Sequence, residues 1–328
     1  MALNPKNATR TGIRRPWEYS GGNVRRVRPA PLRKGDVIAV VAPGGPVDPA
    51  RLARGLARLS AAGFVPETAE GLLERDGYLA GDDLHRAARM KWALTLPEAR
   101  AVMAARGGYG TTRLLPLVDW KKAAARPRLL IGYSDMTAIL AYVSTRFGLA
   151  AIHGPMAAAD LGGRPDGGAL DAFVRLVGGN VTPREPWGTP CERLRGGGAE
   201  GVLTGGCLSV LTALLGTPYE PDFRGALLFL EDVREPSYRI DRMLTQWVQS
   251  GRLRKVTGIV AGKITPLKKE EEDVRRAFAA AGKTLSVPVW YGFPAGHVRP
   301  NYPLPFGVRA RIDPRGRLFL LESPVAQK

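Results

Sequence analysis

Along residues 36–153, apolar runs of strand length alternate with stretches in which apolar residues recur every three or four positions. DVIAVVAP is followed by DPARLARGLARLSAAG, in which Leu52, Leu56 and Leu59 share one helical face and Arg51, Arg54 and Arg58 another, read as solvated. A charged helical pattern at DLHRAARMKWALT precedes AVMAARGGYG, a helix near TTRLLPLVDW, the apolar run RLLIGYSD and the helix MTAILAYVSTRFG. Strands alternating with helices predict a parallel sheet covered on both faces. Such sheets carry their sites at the carboxyl ends of strands.

Between Asp160 and Gly201 the pattern gives way to Gly- and Pro-rich sequence, DLGGRPDGGALDAF, GGNVTPREPWGTP and RLRGGGAEG. This predicts an interdomain crossing over 166–200, between an amino-terminal α/β domain (35–165) and a carboxy-terminal domain (201–328). The second half has strand patterns at GALLFLED, GIVAGKIT, VPVWYG and VRARIDPRGRLFLL, and helical ones at SYRIDRMLTQWVQSG and EEEDVRRAFAAAG. These fit a mixed α/β domain whose topology the pattern leaves open. Residues 1–34 are arginine-rich with Glu18 as the lone acid, and no apolar stretch backs the arginines. A basic arm is expected there, not a secretory or twin-arginine signal, and its order stays open.

A chain of 328 residues suits two domains. Its longest apolar runs fall short of the about 20 residues of a membrane span, so a soluble protein is expected. Cys191 and Cys207 are too few for a disulfide framework, which points to a reducing cytoplasm. The net charge of +18 raises nucleic-acid binding, since Lys and Arg displace counterions from phosphate. Past residue 34, however, the arginines are scattered along amphipathic segments, without a nucleic-acid-binding motif. No nucleic-acid or membrane partner is expected.

Candidate general bases are few: His85 among charged helical neighbours, His153 after an apolar run, and His297 in the loop sequence GFPAGHVRPNYPLPFG. Ser134 sits where a strand pattern becomes a helix pattern. It can serve as a helix cap, or as a nucleophile on a tight turn whose following N–H and helix N-terminus favour an oxyanion. The local sequence keeps Gly132 of G-x-S-x-G but has Met136 in place of the second glycine. ARGGYGTTR (105–113) matches no phosphate-loop pattern, yet its glycines can aim backbone N–H groups into one concavity. APGGPVDP (42–49) is read only as a turn. GALLFLEDV ends on Glu231 and Asp232, which alternation places on opposite faces, one toward a site and one toward solvent. Neither H-E-x-x-H nor a cluster of His and acids suggests a metal, and no cofactor is expected.

Taken together, VAPGGPV, GYLAGDD, ARGGYGTTRLL, IGYSDMTAIL, IHGPM, GGCLSVLTALLGTP, LFLEDV and GHVRPNYPLPFG resemble, in that order, the motifs of the LD-carboxypeptidases, serine peptidases of murein recycling. The resemblance implies a Rossmann-like amino-terminal domain with a parallel sheet, a β-rich swivelling α/β carboxy-terminal domain, and a site between them. It further implies Ser134 as nucleophile, His297 as general base and then acid, Glu231 as the group orienting His297, and the N–H groups of Gly108 and Asp135 as the oxyanion hole. Cys207 stands where the family usually has asparagine, exchanging an amide for a weak thiol; a packing role is expected for it.

The reaction so implied is acyl transfer to Ser134 from an L-centre, with release of a D-amino acid, usually the terminal D-alanine of a murein tetrapeptide. Arg106 and Tyr109 are candidate substrate contacts, and Arg113, Arg234 and Arg299 also flank the motifs. A microcin-immunity-like hydrolase of aminoacyl-nucleotide conjugates is the alternative, with Trp187 as the candidate ring for stacking a base. A binding protein that keeps the fold without turnover is the other. The resemblance also implies a cytoplasmic homodimer acting on a small peptide.

Overall fold

The computed structural model describes residues 26–164, 168–264 and 270–327. Most of the expected basic arm therefore lies outside the described residues. Its end does not stand apart from the fold: Leu32 is buried, Val27 bridges to Leu149, and Arg26 and Arg28 both pair with Glu322.

In chain order the first unit contains β1 (Val37–Val41), α1 (Pro49–Ala61), β2 (Val65–Thr68), α2 (Asp83–Thr95), β3 (Ala99–Ala104), α3 (Thr111–Leu114), α4 (Trp120–Ala125), β4 (Leu129–Gly132), α5 (Thr137–Phe147), β5 (Ala151–His153) and α6 (Ala169–Val177). The second contains β6 (Glu192–Arg195), β7 (Ala199–Cys207), α7 (Leu208–Leu214), β8 (Ala226–Glu231), α8 (Ser237–Gln249), β9 (Gly258–Gly262), α9 (Glu271–Leu285), β10 (Val289–Phe293), β11 (Leu304–Phe306), β12 (Val308–Ile312) and β13 (Leu318–Leu320).

Local chemistry sets these boundaries. Helix α1 starts where the Asp48 side chain accepts from the Arg51 N–H and Pro49 supplies a preset φ. Helix α5 stops at Gly148, which turns left-handed at φ 65°. Strands β1 and β4 are near-continuous apolar runs, as burial on both faces demands.

Strands β2-β1-β3-β4-β5 lie side by side in parallel. The order reverses between β1 and β3, and beyond the carboxyl ends at such a point open α/β sheets form their crevice. The second sheet runs β13-β12-β7-β8-β9-β10-β6, parallel from β7 to β10 and antiparallel at its margins. The fold is thus mixed α/β in two parts.

Two features were hidden in the sequence. The crossing region contains α6, whose Phe173 packs edge-on against Phe64, and β6, which borders β10; flanking Gly and Pro obscured both. Strand β11 leaves the second part to pair antiparallel with β5, Leu304 opposite His153. One apolar core accordingly continues from Met103, Ile131 and Ile152 to Leu203, Phe229 and Trp290. Among the described residues no helix is long and apolar enough to cross a membrane.

Candidate active site

Three loops meet at the carboxyl ends of β1, β3 and β4. The Gly45 N–H donates to the Gly107 carbonyl at 3.0 Å, and a Cβ on Gly107 would lie 2.8 Å from Ser134 Oγ. The absence of side chains lets the loops close on the serine. APGGPVDP is thereby more than the turn expected of it: it forms one wall of the site, because Gly44 and Gly45 admit the neighbouring loop. Arg86, 1% exposed, ties this wall to the next by donating to the carbonyls of Pro43 (2.5 Å) and Gly110 (3.0 Å).

Ser134 has φ 61°, a left-handed conformation that costs a non-glycine residue about 1–2 kcal/mol. A 3₁₀ turn, Ser134–Met136, leads directly into α5, and no side-chain cap closes the start of either. The serine hydroxyl instead lies 3.1 Å from His297 Nε2. His297 Nδ1 is 2.8 Å from Glu231 Oε2, which also accepts the His297 backbone N–H at 3.3 Å. The sequence-predicted trio, drawn from the end of β4, the end of β8 and the loop after β10, is one hydrogen-bonded chain.

Glu231 is 1% exposed. Burial by itself would raise its carboxyl, but the charge and hydrogen bond of His297 prevail and hold it below the usual value. Burial likewise disfavours protonated His297, and the Glu231 carboxylate reverses this and lifts the imidazole above its ordinary value. An imidazole so placed can take a proton from Ser134 Oγ while Glu231 stabilises the resulting cation.

Neighbouring groups have other occupations. One of Glu231 and Asp232 was expected to meet solvent, yet Asp232 too is buried, 3% exposed, and accepts from the N–H groups of Ser209 and Val233 at 2.8 Å, because the turn after β8 folds it onto the start of α7. Burial and the Glu231 charge push Asp232 up to about 6. Cys207 is buried, its thiol pushed well up by burial and by both carboxylates, and its Sγ is 3.3 Å from Ser209 Oγ. His153 lies within the core with both ring nitrogens unpartnered, and burial lowers it to about 4. Among the described residues no group of three or more His, Cys, Asp or Glu could hold a metal ion.

A cavity of about 600 Å³ opens over Ser134 and His297, lined also by Gly107, Gly108, Tyr133, Arg51, Arg106 and Arg234. Gly108 and Arg106 are therefore at the site, and Asp135 adjoins Ser134 in the chain, its carboxylate fixed by the Thr111 N–H at 2.9 Å. Tyr109 is not among the lining residues; its ring, half exposed, leans on Tyr78 at 5.8 Å. Trp187 is 7% exposed, and its indole N–H donates to the Pro303 carbonyl at 2.7 Å. It packs at the junction of the two parts and presents no free face to the cavity. Sequence reasoning missed Arg51 and Tyr133. Arg51 was assigned to a solvated face but donates to the carbonyls of Ala158 (3.0 Å) and Ala159 (2.5 Å); the only clue was its place just after the Asp48 cap. Tyr133, beside the serine, sets its ring edge-on to His297 at 5.0 Å.

A left-handed serine after a parallel strand, with an imidazole and a buried carboxylate behind it, is the arrangement expected of a serine-type hydrolase on a mixed α/β fold. The comparisons with known proteins narrow this. Residues 38–154 match the LD-carboxypeptidase N-terminal domain and residues 200–312 the LD-carboxypeptidase C-terminal domain. A Streptomyces coelicolor protein is 41% identical over 91% of this chain and 97% of its own length. The murein tetrapeptide carboxypeptidase of Pseudomonas aeruginosa is 34% identical over 84% of this chain and 92% of its own. The solved structure of MccF in complex with glutamyl sulfamoyl guanosine superposes with a TM-score of 0.81 at 25% identity, covering 91% of this chain and 99% of its own. The chain belongs to the LD-carboxypeptidase family and is a serine-type carboxypeptidase.

Proposed function

We propose that the enzyme hydrolyses the L,D-peptide bond before the terminal D-alanine of murein tetrapeptides, in cell-wall recycling in the cytoplasm, through a Ser134-His297-Glu231 triad. The continuous hydrogen-bonded chain from Ser134 Oγ to Glu231 Oε2 carries this reading. Ser134 Oγ attacks the carbonyl carbon of the L-centre as its proton passes to His297 Nε2. The carbonyl oxygen becomes an oxyanion facing the N–H groups of Gly108 and Asp135. Collapse breaks the C–N bond, and His297 returns the proton to the departing D-alanine amine. Water, deprotonated by His297, then attacks the acyl-serine carbonyl, and as the C–Oγ bond breaks His297 returns that proton to Ser134 Oγ. Arg106 and Arg234 line the cavity and supply positive charge for the carboxylate of the leaving residue.

A purified tetrapeptide followed by mass spectrometry tests this. Wild type is expected to release D-alanine, and Ser134→Ala to lose on the order of a millionfold in turnover. Release undiminished in the variant would overturn the nucleophile, and no release from either protein would overturn the substrate. A second reading, hydrolysis of aminoacyl-nucleotide conjugates, is supported by the likeness to MccF bound to a sulfamoyl nucleoside. It is the weaker one here, because Trp187, the ring expected to stack on a base, is occupied in packing.

A further inference from the structure

Arg51 belongs to two cavities. Besides the one over Ser134, it lines a second hollow of about 390 Å³ together with Arg54, Arg164, Arg299, Gly162 and Gly163. Four arginines thus line one space, and among the described residues no carboxylate lines it. Two are held in place by the backbone: Arg51 through Ala158 and Ala159, and Arg54 through its Nε bond to the Gly162 carbonyl at 3.0 Å. Arg164 and Arg299 are exposed and make no hydrogen bond or ion pair among the described residues. The glycines bring these groups together, since a Cβ on Gly163 would sit 2.5 Å from Arg299 Nη2 and one on Gly162 would strike the Arg51 carbonyl oxygen at 2.1 Å. Like charges gathered in one place repel one another, and a bound anion offsets that repulsion. Planar guanidinium forks match the paired oxygens of carboxylate and phosphate.

We infer that this hollow is a subsite for an oxyanion, carboxylate or phosphate, borne by the acyl side of the substrate away from the scissile bond. The assignment to the acyl side rests on the carboxypeptidase reading. In an exopeptidase of this direction the leaving side ends after one residue, so any extension of the cleft beyond Ser134 receives the acyl portion. Murein stem peptides carry free carboxylates there, and a nucleotide-linked precursor would bring phosphates.

The test compares wild type with R164Q/R299Q, both substituted side chains being exposed and unpaired among the described residues, after thermal unfolding has verified that the variant folds. On a tetrapeptide with free acyl-side carboxylates, KM is expected to rise about tenfold or more in the variant with kcat within about twofold, the pattern of lost charge-assisted bonds that do not change in the transition state. Amidating those carboxylates is expected to raise the wild-type KM equally and to leave the variant unaffected. An unchanged KM in the variant, or equal wild-type KM for acid and amide, overturns the carboxylate assignment. Calorimetric titration of Ser134→Ala protein with glutarate and with inorganic pyrophosphate reads the subsite without turnover. Binding that R164Q/R299Q abolishes supports the site even where no peptide is cleaved, with pyrophosphate about tenfold tighter than glutarate assigning phosphate as the source. Absence of binding by either anion, with KM unchanged, removes the subsite altogether.

Discussion

His297 lies between two opposed influences. Its enclosure favours the neutral ring, Glu231 favours the charged one, and Glu231 prevails. Because the free base must be neutral, the acid limb of kcat/KM is expected above the ordinary histidine value of about 6.5. Glu231→Gln removes the charge and leaves the burial, so the His297 titration moves to lower pH. Activity falls at the same time by on the order of ten-thousandfold, since the amide can hold the wrong tautomer. Following the His297 ring protons by NMR against pH checks the sign independently of turnover; an upward or absent shift would reject the account.

At the scale of elements, the loop between β10 and β11 brings the histidine to the serine. Its closure depends on Asn301, 1% exposed, whose Oδ1 accepts the Gly296 N–H at 2.8 Å. Gly296 has φ 93°, and a Cβ there would lie 2.4 Å from Glu231 Oε2. Gly296→Ala is therefore expected to push Glu231 and His297 apart and lower kcat by on the order of a hundredfold, the effect of about 1 Å of misplacement. Thermal unfolding should show the variant still folded; full activity would show that the contact relaxes freely. The elements themselves were largely readable. The alternation from Val37 to Phe147 sets the parallel strands and covering helices, and Ser134 and His297 stand out because the strand-to-helix junction is abrupt and histidine is rare. What escaped were placements governed by distant partners. Strand β11 spans only Leu304–Phe306 and is a strand because β5 lies beside it. Asp232 is buried because α7 begins where its carboxylate points, and no local pattern encodes that meeting. Trp187 offered an aromatic ring in a loop, but sequence could not reveal that Pro303 takes its N–H.

For the molecule as a whole, the basic composition has a structural use among the described residues. Arg58, Arg86 and Arg128 all donate to backbone carbonyls, joining segments far apart in the chain. Global stability also carries the mark of a buried base. His153 is neutral in the fold, titrating at about 4, whereas in the unfolded chain it titrates near 6.5. Between these values the unfolded state binds more protons, so its contribution is full above about pH 6.5 and is lost as pH falls toward 4, on the order of 3 kcal/mol in all. Urea unfolding from pH 7 to 4.5 is expected to show this decline, and His153→Phe, set among Phe229, Phe306 and Tyr133, to flatten it. An identical slope in the variant would assign the acid sensitivity elsewhere.

Strand β11 also determines what kind of quantity the Ser134–His297 distance is. The histidine loop is anchored at one end in the second sheet through β10 and at the other in the first through β11. It behaves as a tie-rod between two bodies rather than a pendant of one. Any sliding of the sheets must stretch or slacken that rod, so the spacing of base and nucleophile is a gauge of how the two halves are seated.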